Sequence, residues 1–258
     1  MIPYSRQHVS STDVKNVNKV LRSNYLTQGP LVGEFEDELI LKCKSKYAIA
    51  LNSATSSLHV TCMALGLTKK KYLWTSPISF VASANCALYC GAKVDFVDID
   101  NKTFNIDIKK LKEKLIIAKK KNKLPSIIVP VHLAGNPCDM EEIFKLSKIY
   151  KFKIIEDASH ALGSTYKSNI IGSCRHSNAT VLSFHPIKSI TSAEGGAVLT
   201  NDKKLMEKVK MLREHGITKN NKKFLIRNSG AWYYEQQFLG YNYRMSDVHA
   251  ALGLSQIK

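Results

Sequence analysis

Residues Ser126–Asp157 read SIIVPVHLAGNPCDMEEIFKLSKIYKFKIIED. An apolar, β-branched run comes first, Ser126–Val131. A turn rich in Gly, Asn and Pro follows. Met140–Ile149 then repeats apolar residues at helical spacing, and Lys153–Glu156 is strand-like again. Strand, helix, strand, with little polar alternation in IIVPV, predicts parallel strands covered on both faces.

The same alternation extends outward. Upstream, Tyr47–Leu51, Tyr72–Thr75 and Val94–Val97 read as strands, and Ser56–Leu65, Val81–Tyr89 and Ile108–Lys119 as helices. Downstream come strands Ala179–Phe184 and Gly196–Thr200, a helix Asp202–Glu214, a polar irregular stretch 218–231, and a last helix from Ser246 to about Ile257. The expected fold class is α/β, a mostly parallel sheet flanked by helices. Residues 1–33 read as a polar N-terminal segment. In it, Ser11-Thr12-Asp13 cap a helix to about Ser23, and Gly29-Pro30 makes a turn. A further helix pattern spans Val32–Lys44, and residues 34–258 are expected to form one large domain.

Composition narrows the function. The chain has 258 residues, 44% of them hydrophobic, enough for a large core. Its net charge is +17, from 38 basic and 21 acidic residues. The lysines cluster in loops and helix ends, without interleaved aromatics or zinc-finger spacing. This argues for a solvated basic surface and against a nucleic-acid module; a phosphorylated ligand would also gain from the field. Six scattered cysteines without a C-x-x-C pair read as reduced packing residues, neither a metal site nor a disulfide frame. MIPYSRQHVSSTDV lacks the apolar core of a signal peptide, and no apolar run is long enough to span a bilayer. A cytoplasmic location is expected.

Four groups sit where ligands gather in open α/β sheets, at strand ends. Asn52-Ser53-Ala54-Thr55-Ser56-Ser57 follows a strand and opens a helix, which suits an anion; ordinary N-capping is the simpler alternative. Phe80, in Pro77-Ile78-Ser79-Phe80, begins the next helix and could stack on a flat ring or fill a core. Asp157 ends a strand in Glu156-Asp157-Ala158-Ser159-His160; it suits a ring nitrogen or a helix cap, and His160 a structural or a ligand role. Lys188 stands alone in the turn of ATVLSFHPIKSITSAEGGAVLT, residues 179–200. Desolvation would lower its pKa and favour imine formation with a carbonyl cofactor. Ser183 could donate to a phosphate, His185 could support the lysine, and Gly195-Gly196 reads as a tight turn.

Together, Asn52–Ser57, SPISFVASAN, EDASHALG, SFHPIKSITSAEGGAV and GYNYRMSDVHAALGLSQ resemble the DegT/DnrJ/EryC1/StrS aminotransferases over essentially the whole chain. The resemblance implies a fold type I enzyme using pyridoxal 5′-phosphate (PLP). In it Lys188 would link to the cofactor and shuttle a proton, and Asp157 would pair with the ring nitrogen. Phe80 would stack on the ring, with His160 near it, while Thr55, Ser56 and Ser183 would bind the phosphate. Asn242 would reach the phosphate of a neighbouring subunit, which implies a homodimer with shared sites. With YLTQGP, the pattern is most similar to a branch that aminates C4 of a UDP-4-keto-6-deoxy-N-acetylhexosamine on the route to pseudaminic acid, with L-glutamate as donor. Amination at C3 is the alternative within the family. Dehydratases of the family carry histidine where Lys188 stands. Family members continue into a small C-terminal domain, so a truncated, non-catalytic PLP-binding product is a further reading.

Overall fold

Strand Ile127–Val129 is fully buried, and its neighbouring side chains go opposite ways. Ile127 and Val129 join one apolar cluster and Ile128 another. That is the two-faced burial expected of a central parallel strand. The structure is a computed structural model and describes residues 5–226, 230 and 232–258. Part of the stretch 218–231 therefore lies outside the described residues.

In chain order the elements are α1 (Ser11–Leu21), α2 (Leu31–Cys43), β1 (Tyr47–Leu51), α3 (Ala54–Ala64), β2 (Tyr72–Thr75), α4 (Ala82–Tyr89), β3 (Lys93–Phe96), α5 (Ile108–Lys120) and β4 (Ile127–Val129). Then come α6 (Met140–Tyr150), β5 (Lys153–Asp157), the short β6 (Thr165–Tyr166) and β7 (Asn169–Ile170), β8 (Ala179–Ser183) and β9 (Gly196–Thr200). The chain closes with α7 (Lys203–Arg213), β10 (Ile217–Thr218), β11 (Glu235–Gln236) and α8 (Asp247–Gln256). Seven strands form one sheet in the order β1-β9-β8-β5-β4-β2-β3. The fold is the expected α/β one, mostly parallel and flanked by helices.

β9 alone runs against the others, antiparallel to both β1 and β8. Its connection from β8 carries no helix, so the chain returns directly instead of crossing over. On one face, β1, β2, β4, β5, β8 and β9 pack against α3, α4 and α7. On the other, α2 and α8 cover the β1-β9-β8 half, and α5 and α6 cover the rest. Arg244 bridges to Leu51 and the Asn52 amide donates to Tyr243 O, so residues after β11 shield the edge of β1.

Several boundaries differ from expectation. Ser10, not Ser11 or Thr12, caps α1; its hydroxyl accepts from the Asp13 amide while Asp13 accepts from the Ser10 amide, a reciprocal capping box. At Gly29-Pro30 the turn is held from a distance: the amides of Gly29 and Leu31 donate to the Asp247 carboxylate at 2.8 and 3.0 Å. Gly195 and Gly196 are not in the left-handed region. They permit close approach instead. A Cβ on Gly196 would collide with the backbone of Ser53 and Ala54, and one on Gly195 with Ser192 and Met245. The six cysteines are free; five are buried and Cys90 is half-buried.

Candidate active site

β1, β5 and β8 end on the same side of the sheet, and antiparallel β9 begins there. A cavity of about 390 Å³ opens at that point, within the usual size of small-molecule sites, roughly 300–1,000 Å³. Its walls include Thr55, Phe80, Asp157, His160, Ser183 and Lys188, brought from four separate stretches of the chain.

The anion-binding end is the start of α3. Ser53 is the N-cap: its hydroxyl accepts from the Ser56 amide at 3.1 Å. Ala54 and Thr55 supply the free first-turn amides that a helix start leaves. Thr55 and Ser183 line the cavity, and their hydroxyls have no hydrogen-bond partner among the described residues. Ser56 is placed differently. It is buried and does not line the cavity; its hydroxyl has one proton to share between Asn52 Oδ1 at 2.6 Å and Ser53 O at 2.8 Å.

The acidic end is Asp157, the last residue of β5 and 4% exposed. Ser83 Oγ donates to Oδ2 at 2.6 Å; the Ser159 hydroxyl and amide donate to Oδ1 at 2.6 and 3.2 Å. These donors hold the carboxylate in one orientation. Asp157 therefore caps its own turn, with no helix following. Glu156 faces the opposite side, as strand alternation requires. There it accepts from His132 Nε2, Thr180 Oγ1 and Ser177 Oγ, a buried network under the site.

Lys188 lies in the connection between β8 and β9, and its amine makes no hydrogen bond or ion pair among the described residues. Burial pulls its pKa below the usual 10.5, and the Asp157 carboxylate partly opposes this. His160 accepts the Ala134 N–H on Nδ1 at 3.2 Å, so the neutral ring carries its proton on Nε2. Its pKa is lowered by burial and by the Lys188 cation, against the pull of Asp157. Phe80 is 70% exposed at the cavity wall and precedes α4 by two residues, so it belongs to the loop and not to the helix. His185 also lines the cavity; its Nδ1 accepts the Ile187 amide at 3.4 Å. Asn242 does not line the cavity. It pairs with Glu214 in an isolated bridge.

Ser83 and Ser159, which hold Asp157, were given no role in the expected site. Ser159 had a local signal, since an aspartate often accepts the amide two residues on. Ser83 had none, being 74 positions from its partner.

The residue set fits PLP: free amides and hydroxyls for a phosphate at one end, a fixed carboxylate at the other, an aromatic ring and an unpaired amine between. Residues 7–258 match the DegT/DnrJ/EryC1/StrS aminotransferase family. The chain is 45% identical to the UDP-4-amino-4,6-dideoxy-N-acetyl-beta-L-altrosamine transaminase of Campylobacter jejuni subsp. jejuni serotype O:23/36 (strain 81-176), over 100% of this chain and 64% of that protein. It superposes on Helicobacter pylori PseC, an aminotransferase involved in the biosynthesis of pseudoaminic acid, with a TM-score of 0.86 and 39% identity, covering 98% of this chain and 64% of that one. The PMP form of the putative sugar aminotransferase Spr1654 from Streptococcus pneumoniae gives a TM-score of 0.86 at 30% identity, covering 99% and 67%. The chain thus spans just under two thirds of the length of the curated relatives it matches.

Proposed function

Because this chain belongs to the DegT/DnrJ/EryC1/StrS aminotransferase family, we propose that its cavity binds PLP and moves an amino group from L-glutamate to C4 of a UDP-4-keto-6-deoxy-N-acetylhexosamine. The observation that carries this reading is the sharing of one cavity by an orientated carboxylate, Asp157, and an unpaired, partly desolvated amine, Lys188.

PLP, when bound, supplies the electron sink for amino transfer. The protein's own groups do the rest. The first-turn amides of α3 with the Thr55 and Ser183 hydroxyls hold the phosphate. Asp157 Oδ2 and Oδ1, each already fixed by a serine, present charge to a protonated ring nitrogen. Phe80 covers one ring face. Lys188 Nζ, whose neutral form burial favours, would be the group that holds the cofactor by its carbonyl and would move a proton at the amino-acid carbon. His160 stays neutral beside it and offers Nε2–H. Asn242 is assigned to a partner subunit's phosphate in a homodimer, consistent with its place outside this chain's own cavity.

The test is direct. PLP is added to the purified chain, binding is read by absorbance, and borohydride then fixes the link for peptide mass analysis. Modification should map to Lys188 and vanish in Lys188→Ala. Labelling spread over surface lysines, unchanged by that substitution, would refute the assignment. Amino transfer to the 4-keto sugar, compared with a 3-keto isomer, then decides the position.

A further inference from the structure

Behind the Lys188 loop lies a second cavity, of about 480 Å³, on the side of the N-terminal segment. Ile187 and Lys188 line both cavities, so the Lys188 loop stands between them. The second cavity is more polar in chemistry. Arg6, His8, Asp13, Ser189 and Gln256 contribute to its wall. Arg6 makes no hydrogen bond or ion pair among the described residues.

Among the described residues, the Gln256 side chain ties the segment carrying Arg6 to the rest of the fold. Gln256 Nε2 donates to His8 O at 2.9 Å and to Asp13 Oδ2 at 2.8 Å, while its Oε1 accepts the Thr191 amide at 3.4 Å. Gln256 thus links the N-terminal segment, the first turn of α1 and the Lys188 loop. Among the described residues, Asp13 is the one carboxylate in the wall. Its Oδ2 is already taken by the Ser10 amide, the Ser10 hydroxyl and Gln256. Arg6 and Lys188 leave the lining net positive.

The proposed reaction brings anions that the first cavity does not serve. Its free amides and hydroxyls are the ones assigned to the phosphate, and among the described residues no arginine lines it. A dicarboxylate donor and a nucleoside diphosphate acceptor each need a cation within reach of Lys188. An arginine fork matches both carboxylate and phosphate geometry.

We propose that the second cavity is an anion subsite of the same active site, in which Arg6 receives a substrate carboxylate or diphosphate and Gln256 acts as a positioning residue. This rests on the aminotransferase reading only for the identity of the ligand; the cavity and its cation stand without it.

Calorimetric titration of the chain, with and without PLP, tests it, using glutarate and UDP as separate probes. Arg6→Ala should weaken one probe about tenfold or more, the usual size for a hydrogen bond to a charged group, and leave PLP affinity unchanged. Loss confined to glutarate assigns the donor carboxylate; loss confined to UDP assigns the diphosphate. Arg6→Lys should restore only part, and Gln256→Ala should weaken the same probe as Arg6→Ala. Wild-type affinities for both probes in Arg6→Ala, or no binding of either by the wild-type chain, would overturn the subsite. A chain that binds a probe through Arg6 but takes no PLP would remove the aminotransferase reading and leave the anion site standing.

Discussion

Ser83 Oγ lies 2.6 Å from Asp157 Oδ2, joining the first turn of α4 to the end of β5 inside the core. Both residues are buried, so neither group can turn to water. Ser83→Ala leaves one carboxylate oxygen without its donor. The expected loss is about 1.5–3 kcal/mol, the range for a hydrogen bond to a charged group. Urea unfolding should show a lower midpoint with the same slope, and PLP affinity should fall with it. An unchanged midpoint would mean that the bond contributes nothing.

Lys188 is held below its usual pKa of 10.5 by burial. An unfolded chain then binds more protons than the folded one between that lowered value and 10.5. Stability contributed by this residue therefore rises with pH across the window and is poorest below it. Lys188→Met should make the cofactor-free protein more stable at neutral pH. The advantage should shrink as pH climbs towards 10.5 and level off above it, as read by denaturant midpoints across pH.

The lysine cation also acts on His160, whose pKa sits below 6.5 through burial first and Lys188 second. Removing the cation in Lys188→Met should raise the His160 pKa. Asp157→Asn removes an opposing charge and should lower it. Imidazole proton shifts followed by NMR would report both. With the folded value depressed, the histidine's contribution to stability declines as pH drops beneath 6.5. Identical titration curves in all three proteins would dismiss the coupling.

Two glycines should respond in opposite directions. Gly196→Ala forces a methyl group into the backbone of Ser53 and Ala54, beneath the phosphate end of the cavity. Overpacking of this kind costs about 1–3 kcal/mol, and the displaced helix start should bind phosphate less well. Gly33 is in α2, with nothing within 4 Å of where an alanine methyl would sit. Gly33→Ala should stabilise by about 0.5–1 kcal/mol through helix propensity. Thermal melts of the pair check both signs.

Arg213 ties three elements together. Its Nη1 donates to Glu36 Oε1 at 2.8 Å and to Ala50 O at 2.9 Å, while Glu36 Oε1 also accepts the Ala50 amide. Arg213→Ala leaves buried Glu36 with only the Ala50 amide and the Lys210 ammonium at 3.9 Å, for an expected loss of about 1.5–3 kcal/mol. Arg213→Lys should recover little, since a single ammonium cannot reproduce the fork. The double variant Arg213→Met with Glu36→Met should be less damaged than Arg213→Ala, which a chemical denaturation series would reveal.

Much of the fold was legible along the chain. Tyr47–Leu51, Tyr72–Thr75 and Gly196–Thr200 begin and end as their apolar runs do. Helices fell within a few residues of their periodic patterns. Burial imposes a period of 2 or 3.6 on neighbouring positions, and that record is local. Where it failed, either a local breaker or a distant group had intervened. Strand β4 stops at Val129, before Pro130, which has no amide hydrogen for a ladder. The entry to α2 is set by Asp247, more than two hundred residues away.

The site shows the same division. The residue types and order of Thr55, Phe80, Asp157, His160, Ser183 and Lys188 were readable, because strand ends and helix starts place them. Their meeting in one cavity depended on the strand order β1-β9-β8-β5, which no local pattern encodes. Tertiary structure also turned Ser56 inward, left Asn242 outside, and chose Ser83 as the partner of Asp157. Chain periodicity reports whether a side chain is buried. Which atoms it meets there is settled only when distant segments pack, since hydrogen-bond geometry is short-ranged and its partners may be any distance apart in sequence.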